Sequence, residues 1–305
     1  MAYRITRFPD LLGRITLTPP QDGFQDFICS WILNGEETFL VDPGPAVTSP
    51  DLLTALEEIG LKRPDYILLT HIHIDHAGGI GEIATAFPET PVVCHRSARP
   101  HLINPERLWQ GTLKTLGETG RAYGPISPVP EKQLLSVEDL SAATIKPILT
   151  PGHAPHHVSY LTPDGILFVG EAGGVNIDFE GNGEYLRPAT PPRFDLETSI
   201  ASLDRLLAAR PETICYGHTS LKTEADQWLR SHREQLFFWK DEIRYEIMKD
   251  TAPGLAERCA DRICKRDRLL GALPKLPAPV FRRERFFIEN SIRGFIGYLS
   301  AAPDC

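Results

Sequence analysis

Short apolar runs, separated by Gly, Pro, Asn and Asp, recur through the first two thirds of this chain. Runs of this length with turn-forming borders predict buried strands. The first two, residues 28–33 and 38–41, flank Asn34-Gly35, which is a strong hairpin signal. Further strands are predicted at residues 65–69, 91–94, 145–149, 158–161, 166–169 and 213–216.

Stretches with helical spacing of apolar residues lie between these strands. Residues 51–59 are predicted to form a helix, with Ser49 as its cap and Pro50 at its first position. Helices are also predicted at residues 80–87, at 97–117 in pieces, and at 196–209, whereas the Gly- and Pro-rich residues 118–130 predict a loop. Strands and helices that alternate in this way predict an α/β fold in layers, with sheets packed on each other.

The pattern changes after residue 221. The rest of the chain is charged and periodic, without strand signals, and predicts helices with a break at Pro274, Pro277 and Pro279. We therefore predict an α/β domain over residues 1–221 and a mainly helical C-terminal region over residues 222–305.

The composition excludes several classes of protein. With 42% hydrophobic and 24% charged residues, the chain is of ordinary globular type, and it has neither a signal-peptide pattern nor an apolar run that would span a membrane. Its six cysteines lack a CxxC pair, which favours reduced thiols in a cytoplasmic protein. The net charge of −8 argues against a nucleic-acid partner, so we expect a small-molecule substrate.

The segment Thr70-His71-Ile72-His73-Ile74-Asp75-His76 carries the densest chemistry of the chain, directly after a predicted buried strand. Residues two apart in an extended segment point the same way, so His71 and His73 are expected to bind one metal ion together. Asp75 and His76 follow the turn of the chain and would face a second ion. A solvated, His-rich loop is the alternative.

Three further predicted strands are each closely followed by a residue that can bind metal. His153 follows residues 145–149, Glu171 follows 166–169, and His218 follows 213–216. Open sites are commonly built at strand ends along one edge of a sheet. The sequence therefore favours one site assembled from four separate segments.

These segments resemble the motifs of the metallo-β-lactamase fold superfamily, in particular its glyoxalase II-like branch of hydrolases. The matching motifs are Thr70-His71-x-His73-x-Asp75-His76, Thr150-Pro151-Gly152-His153-x-x-x-His157, Gly170-Glu171, Gly217-His218 and the upstream Val41-Asp42-Pro43-Gly44. The resemblance covers about residues 15–220, and residues 167–195 resemble a largely uncharacterised prokaryotic subgroup. It implies an αβ/βα four-layer sandwich with the metals at one edge, followed here by a C-terminal helical extension.

The resemblance also implies a ligand for each of two metal ions. His71, His73 and His153 would hold the first ion, and Asp75, His76 and His218 the second. Glu171 stands where the family has a bridging Asp, so the longer side chain would bridge, bind one ion or separate the two. Zinc is the first expectation, and iron or manganese suits these ligands as well. Two supporting roles are open: Asp42 as a hydrogen-bond partner of a ligand histidine, and His157 as a support of the site.

Two bound divalent ions lower the pKa of a bound water enough to supply hydroxide near neutral pH. The resemblance thus predicts a metal-dependent hydrolase that uses metal-bound hydroxide on a thioester, lactone or related ester, with Asp75 orienting the nucleophile or taking its proton. One alternative is a mononuclear-iron enzyme resembling persulfide dioxygenases, with His71, His153 and Glu171 as its ligands. Another is a non-catalytic metal-binding protein.

Substrate contacts are predicted next to this site. Residues 185–194 follow Glu171 closely and are expected to overhang the metals, so that Tyr185 and Arg187 would meet the substrate. A rigid surface connector is the alternative for this segment. The C-terminal helices would shape the substrate pocket, pack on the sandwich or form a homodimer contact.

Overall fold

The computed structural model describes residues 2–179, 181 and 183–301. Its N-terminal half forms a seven-stranded sheet whose strands follow one another in chain order. These strands are β1 (Tyr3–Arg7), β2 (Leu12–Leu17), β3 (Ile28–Asn34), β4 (Thr38–Val41), β5 (Tyr66–Leu68), β6 (Val92–Cys94) and β7 (Leu134–Ser136). Neighbours are antiparallel from β1 to β4 and parallel from β4 to β7.

The second half supplies a five-stranded sheet and a small ribbon. The strands are β8 (Lys146–Leu149), β9 (Val158–Leu161), β10 (Ile166–Gly170), β11 (Val175–Asn176), β12 (Leu186–Arg187), β13 (Thr213–Tyr216) and β14 (Leu221–Thr223). The sheet order is β14-β13-β10-β9-β8, and β11 pairs with β12 separately. Only the β10–β13 pair of this sheet is parallel within the described residues.

The two sheets pack face to face over one apolar core. Successive residues of a strand point to opposite faces, and Phe39 of β4 faces this core whereas Leu40 faces the other way. The inter-sheet core contains Trp31, Phe39, Val41, Leu68 and Val93 from the first sheet, and Val158, Tyr160, Phe168 and Cys215 from the second. Because both faces of these strands are buried, their sequences read as continuous apolar runs rather than as alternating ones.

Helices cover the outer faces of both sheets. They are α1 (Ser49–Glu58), α2 (Ile74–Ala77), α3 (Ile80–Ala86), α4 (Arg99–Ile103), α5 (Glu106–Leu116), α6 (Glu118–Tyr123), α7 (Leu196–Ala208), α8 (Ala225–Lys249), α9 (Leu255–Arg266) and α10 (Ala278–Ala301). Leu52 of α1 packs in the same outer core as Leu40, and Leu203 of α7 packs in that of Leu167. The predicted αβ/βα four-layer sandwich with C-terminal helices is confirmed.

Three local predictions were wrong. Lys222 and Thr223 belong to β14, which pairs with β13, although no strand is predicted after residue 221. Thr48, and not Ser49, occupies the N-cap of α1, and its side chain makes no capping hydrogen bond. Residues 118–123, predicted as loop, form α6, which is separated from α5 by Gly117 at φ +54°. Gly120 lies so close to α5 that an added Cβ would stand 3.0 Å from Thr112 Cγ2. A glycine interpreted as a loop signal therefore serves a close contact between helices.

The C-terminal helices share the outer core of the sandwich. Trp239 of α8 and Phe295 of α10 are fully buried in it, and the Trp239 indole donates to Asp267 Oδ2 over 2.7 Å. No helix of the described residues is long and apolar enough to cross a membrane. The five described cysteines are free, and Cys305 lies outside the described residues.

Candidate metal centre

The first group of ligand-type side chains lies where β5 leaves the sheet. His71 and His73 precede α2, with His73 in extended backbone, and α2 then carries Asp75 and His76. Asp42, at the end of the neighbouring parallel strand β4, fixes the start of this segment. Its carboxylate accepts hydrogen bonds from the Thr70 amide (2.8 Å) and the Thr70 hydroxyl (2.6 Å). Adjacent strand ends thus determine how the histidines enter the site.

The other ligand-type side chains arrive from the second sheet, at the ends of β8, β10 and β13. Two glycines permit this convergence. An added Cβ on Gly170 (φ +58°) would stand 2.5 Å from His157 Nε2, and one on Gly217 would stand 2.8 Å from His76 Cε1. Real Cβ contacts are not this short, so both positions require glycine for close approach.

Seven predicted ligands converge on one region of the sandwich edge. One group of donor atoms within 4.8 Å of one another comes from His71, His73, His153 and Glu171. A second such group comes from Asp75, His76 and His218. A third group joins Asp42 to His71 and His76, but the Asp42 carboxylate is already occupied by Thr70 and by the His76 Nδ1 atom (3.1 Å). We therefore expect Asp42 to orient Thr70 and His76 by hydrogen bonds and not to bind an ion itself.

Four of the predicted histidine ligands contact a protein oxygen atom through Nδ1. The Nδ1 atoms of His71 and His76 contact Thr70 Oγ1 (3.0 Å) and Asp42 Oδ2 (3.1 Å). Those of His153 and His218 contact the carbonyl oxygens of Ala189 (2.8 Å) and Phe27 (3.0 Å). This arrangement leaves Nε2 of each ring directed at the centre. Metal-binding histidines are commonly oriented in this way.

The donors fit divalent metal ions. The Nε2 atoms of His71 and His76 are buried without a hydrogen-bond partner, which is costly unless another ligand supplies the missing interaction. Tetrahedral bonds of about 2.0–2.2 Å place neighbouring ligand atoms about 3.3 Å apart. The His71 Nε2–Glu171 Oε2 and His76 Nε2–Asp75 Oδ2 distances, 3.6 and 3.7 Å, are close to this spacing.

Glu171 lies between the two groups. Its Oε2 is 2.7 Å from His153 Nε2, in the first group, whereas its Oε1 is 3.3 Å from His218 Nε2, in the second. Each carboxylate oxygen thus faces a different group. The extra methylene relative to Asp does not prevent Glu171 from reaching both.

The protonation preferences of the metal-free side chains follow from burial and close charges. Burial lowers the pKa of His71 well below its ordinary value and that of His73 to about 4, so both are neutral donors. Burial also lowers the pKa of His76, but Asp75 and Asp42 outweigh it and raise that pKa to about 9. Burial would raise the pKa of Glu171, yet His153 and its other histidine neighbours hold it well below its ordinary value.

The remaining predicted residues have distinct positions. His157 accepts a hydrogen bond from the Glu171 amide at Nε2 (3.1 Å) and contacts the Thr150 hydroxyl through Nδ1 (2.8 Å), so it supports the Glu171 backbone. Tyr185 is buried and donates its hydroxyl to Glu284 Oε2. Arg187 is also buried and paired with Glu284 at 2.7 Å, and it lines the cavity described below.

Sequence reasoning gave no role to three residues that hold the site together. Thr70 and Thr150 stand inside the quoted motifs, directly before the first histidine and three residues before His153, and that position was the available signal. Phe27 carried no signal: its ring stacks on His218 with centroids 4.0 Å apart, and its carbonyl accepts from the same side chain.

A cavity of about 650 Å³ opens beside these ligands. It is lined by five of the predicted ligands, namely His73, Asp75, His153, Glu171 and His218. Residues of α5 and α10 form much of the remaining wall. A volume of this size is typical of sites for small molecules.

Comparison with known proteins points to one family. The sequence model of the protein family described as the metallo-beta-lactamase superfamily matches residues 26–218. The chain is 28% identical to the metallo-beta-lactamase fold-containing protein ST1585 of Sulfurisphaera tokodaii over 234 residues, which is 73% of this chain and 84% of that protein. It is also 28% identical to a hydroxyacylglutathione hydrolase of Cupriavidus taiwanensis over 204 residues, 65% of this chain and 64% of that enzyme.

Solved structures give the same fold. An archaeal metallo-beta-lactamase superfamily protein, ST1585 from Sulfolobus tokodaii, superposes with a TM-score of 0.66 at 23% identity, over 89% of this chain and 93% of that one. The metallo-beta-lactamase family protein TTHA1429 from Thermus thermophilus gives a TM-score of 0.62 at 20% identity, over 96% and 94%. At these identities the likeness concerns the fold alone.

Proposed function

Because the chain belongs to the metallo-beta-lactamase superfamily, we propose that it is a metal-dependent hydrolase of thioesters, lactones or related carboxylic esters, with two divalent ions, zinc first among them. The observation that carries this proposal is the position of Glu171. Its two carboxylate oxygens face two separate groups of histidine nitrogens, as a ligand shared by two ions would.

When bound, a pair of divalent ions lowers the pKa of a coordinated water and polarises the carbonyl that is attacked. The protein residues provide position and proton transfer. Asp75 lines the cavity, and its Oδ2 lies 3.7 Å from His76 Nε2. We assign to Asp75 the orientation of the attacking water and acceptance of its proton. The carbonyl contacts of His153 and His218 keep both rings aimed at the reacting centre.

The chemistry named for relatives supports an acyl substrate. The hydroxyacylglutathione hydrolase of Cupriavidus taiwanensis is named for the hydrolysis of a hydroxyacylglutathione. The cavity beside the ligands also has room for a small organic substrate. A protein that tracks nucleic acid would carry a basic surface, and this chain has a net charge of −8.

A mononuclear-iron oxidoreductase is the second candidate, because Glu171 also belongs to the first group of donors, with His71 and His153. Two imidazoles and one carboxylate are the ligand set of many iron oxygenases. This candidate requires one tightly bound iron per chain and oxygen uptake with a persulfide. The hydrolase requires neither.

Metal content and turnover together test the proposal. The full chain is expressed with zinc, manganese or iron, its metal per chain is counted by mass spectrometry, and each form is assayed on thioester, lactone and ester panels. We expect two ions per chain and hydrolysis that a chelator abolishes and added metal restores. One iron per chain with oxygen consumption, or two ions without any hydrolysis, contradicts the proposal.

A further inference from the structure

The cavity beside the candidate metal centre has a largely apolar wall. Away from the metal ligands its wall consists mainly of carbon, with Phe27, Ile74, Leu108, Leu116, Pro191 and Phe287 among its members. A wall of this kind favours an apolar part of a ligand, because contact there removes carbon surface from water on both sides.

Helix α5 forms one side of this cavity and lacks a complete partner. It is amphipathic, yet none of its residues is fully buried. Leu108 and Leu116 are only partly buried, although both face the cavity. An amphipathic helix normally buries its apolar stripe against protein. Here part of that stripe faces empty space, which a bound apolar chain would fill.

Helix α10 forms another part of the wall, through Phe287 and Asn290. The lining residues Arg107 and Gly111 of α5 and Arg293 of α10 are exposed, so they mark the solvent side of the cavity. The ligands Glu171 and His218 are buried and mark its inner side. This space, which α5 and α10 both line, therefore leads from solvent to the candidate metal centre.

We propose that this space, here called the chain cavity, binds a linear alkyl chain of the substrate while the bond to be cleaved lies at the metal ligands. The inference rests on the proposed function and narrows its substrate class to esters or thioesters with an extended apolar chain. That chain belongs either to the acyl group or to the leaving group. Two substrate series distinguish these sources.

Gly111 offers a direct test. It lies within α5 and lines the chain cavity, and an added Cβ there meets no atom within 4 Å. A Gly111→Phe side chain would occupy the solvent side of the space and leave the inner side open. Gln110→Phe is the matched control, because Gln110 is exposed on the same helix and does not line the cavity. Gly111→Leu repeats the test with a smaller side chain should the ring impair folding.

The assay uses metal-replete full-length protein with p-nitrophenyl esters from acetate to decanoate, and with alkyl thioacetates of increasing chain length. We expect kcat/KM to rise with length in one series, by up to about fourfold per buried methylene. In Gly111→Phe the ratio of kcat/KM for the longest ester to that for the shortest should fall at least about tenfold below the wild-type ratio, the effect of two or more methylenes left unburied. Gln110→Phe should behave as wild type. Equal rates along both series, or equal profiles in Gly111→Phe and wild type, would overturn the inference.

Binding of unreactive alcohols separates this inference from the proposed function. Calorimetric titration with primary alcohols from butanol to decanol needs no turnover. Affinity that rises with length in wild type and is lost in Gly111→Phe supports the chain cavity, even if no ester is hydrolysed and the proposed function fails. Affinity independent of length overturns the chain cavity, even if short esters are hydrolysed.

Discussion

Substitution of Glu284 in α10 tests directly how much buried charges contribute to the free energy of unfolding. The Glu284 carboxylate is completely buried and accepts hydrogen bonds from Arg187 Nε and Arg283 Nε, each over 2.7 Å, and from the Tyr185 hydroxyl. Arg187 and Arg283 are themselves 3% and 5% exposed. Substitution Glu284→Gln keeps the shape but leaves two buried cations facing a neutral amide.

Two independent routes give the size of the effect. Removal of one partner from a buried ion pair costs about 3–5 kcal/mol of unfolding free energy. Burial raises the pKa of Glu284, but Arg187 and Arg283 outweigh it and hold the pKa at about 2, against an ordinary value of 4.5. A difference of this size corresponds to about 3 kcal/mol. With about 2 cal/mol/K of unfolding entropy per residue, a loss of 3 kcal/mol lowers the Tm by about 5 °C.

The dependence on pH carries the sharper signature. Since the folded pKa lies below the unfolded one, the contribution of Glu284 is complete above pH 4.5 and disappears as the pH falls toward 2. Wild type should therefore lose about 3 kcal/mol of unfolding free energy over this pH range. Glu284→Gln lacks this contribution at every pH. The two proteins should converge in stability at low pH.

Urea unfolding followed by tryptophan fluorescence, at pH 7 and at several values between 4.5 and 2.5, measures both effects. Glu289→Gln on the same helix is the matched control. Glu289 pairs with Arg285 over 2.9 Å but is partly exposed, so its loss should cost less than about 1 kcal/mol. If Glu284→Gln is no less stable than this control at pH 7, or keeps a constant deficit down to pH 2.5, the reasoning about the buried charges is refuted.

The metal centre yields three further predictions. His73→Ala should abolish binding at the first metal position, and full metal content by mass spectrometry would contradict the ligand assignment. Glu171→Asp should keep at least about a tenth of wild-type kcat if the carboxylate bridges two ions, because one methylene is lost without loss of charge or donor; complete inactivity of metal-replete protein would show that the longer arm is required. Because the pKa of His76 in the metal-free chain is raised to about 9 and that of His153 is also raised, metal binding at neutral pH should release at least one proton. Metal affinity should then fall by at least about tenfold per unit as the pH decreases from 8 to 6. Calorimetry in buffers of different ionisation enthalpy measures this release, and zero net proton release would contradict it.

The local sequence pattern was sufficient for prediction where one segment carries both the signal for its secondary structure and the candidate ligands. The run at residues 65–69 predicted β5, and the histidine spacing directly after it predicted the first donors. His153, Glu171 and His218 became candidate ligands because each follows a predicted strand, and the structure brings them close to the first donors.

Long-range contacts were beyond such reasoning. Phe27 meets His218 across 191 positions, and its carbonyl and ring act through a backbone geometry that no motif encodes. Gly120 is a local case that the pattern also missed, since its missing Cβ matters only because α6 lies against Thr112 of the preceding helix.

The C-terminal helices reach the metal centre through a continuous series of contacts. Glu284 holds the Arg283 guanidinium, whose carbon lies 4.0 Å from the centroid of the Phe27 ring. Phe27 in turn stacks on His218, 4.0 Å away between centroids, and hydrogen-bonds its Nδ1 through the carbonyl. Arg187, held by the same Glu284 carboxylate, lies over Phe287 in the wall of the cavity. The Glu284 carboxylate thus holds two guanidinium groups. That of Arg283 lies against Phe27, which stacks on the predicted ligand His218, and that of Arg187 lies in the cavity wall. A substitution at Glu284 would therefore disturb both a contact of the predicted ligand His218 and a wall of the cavity, although α10 supplies no predicted metal ligand.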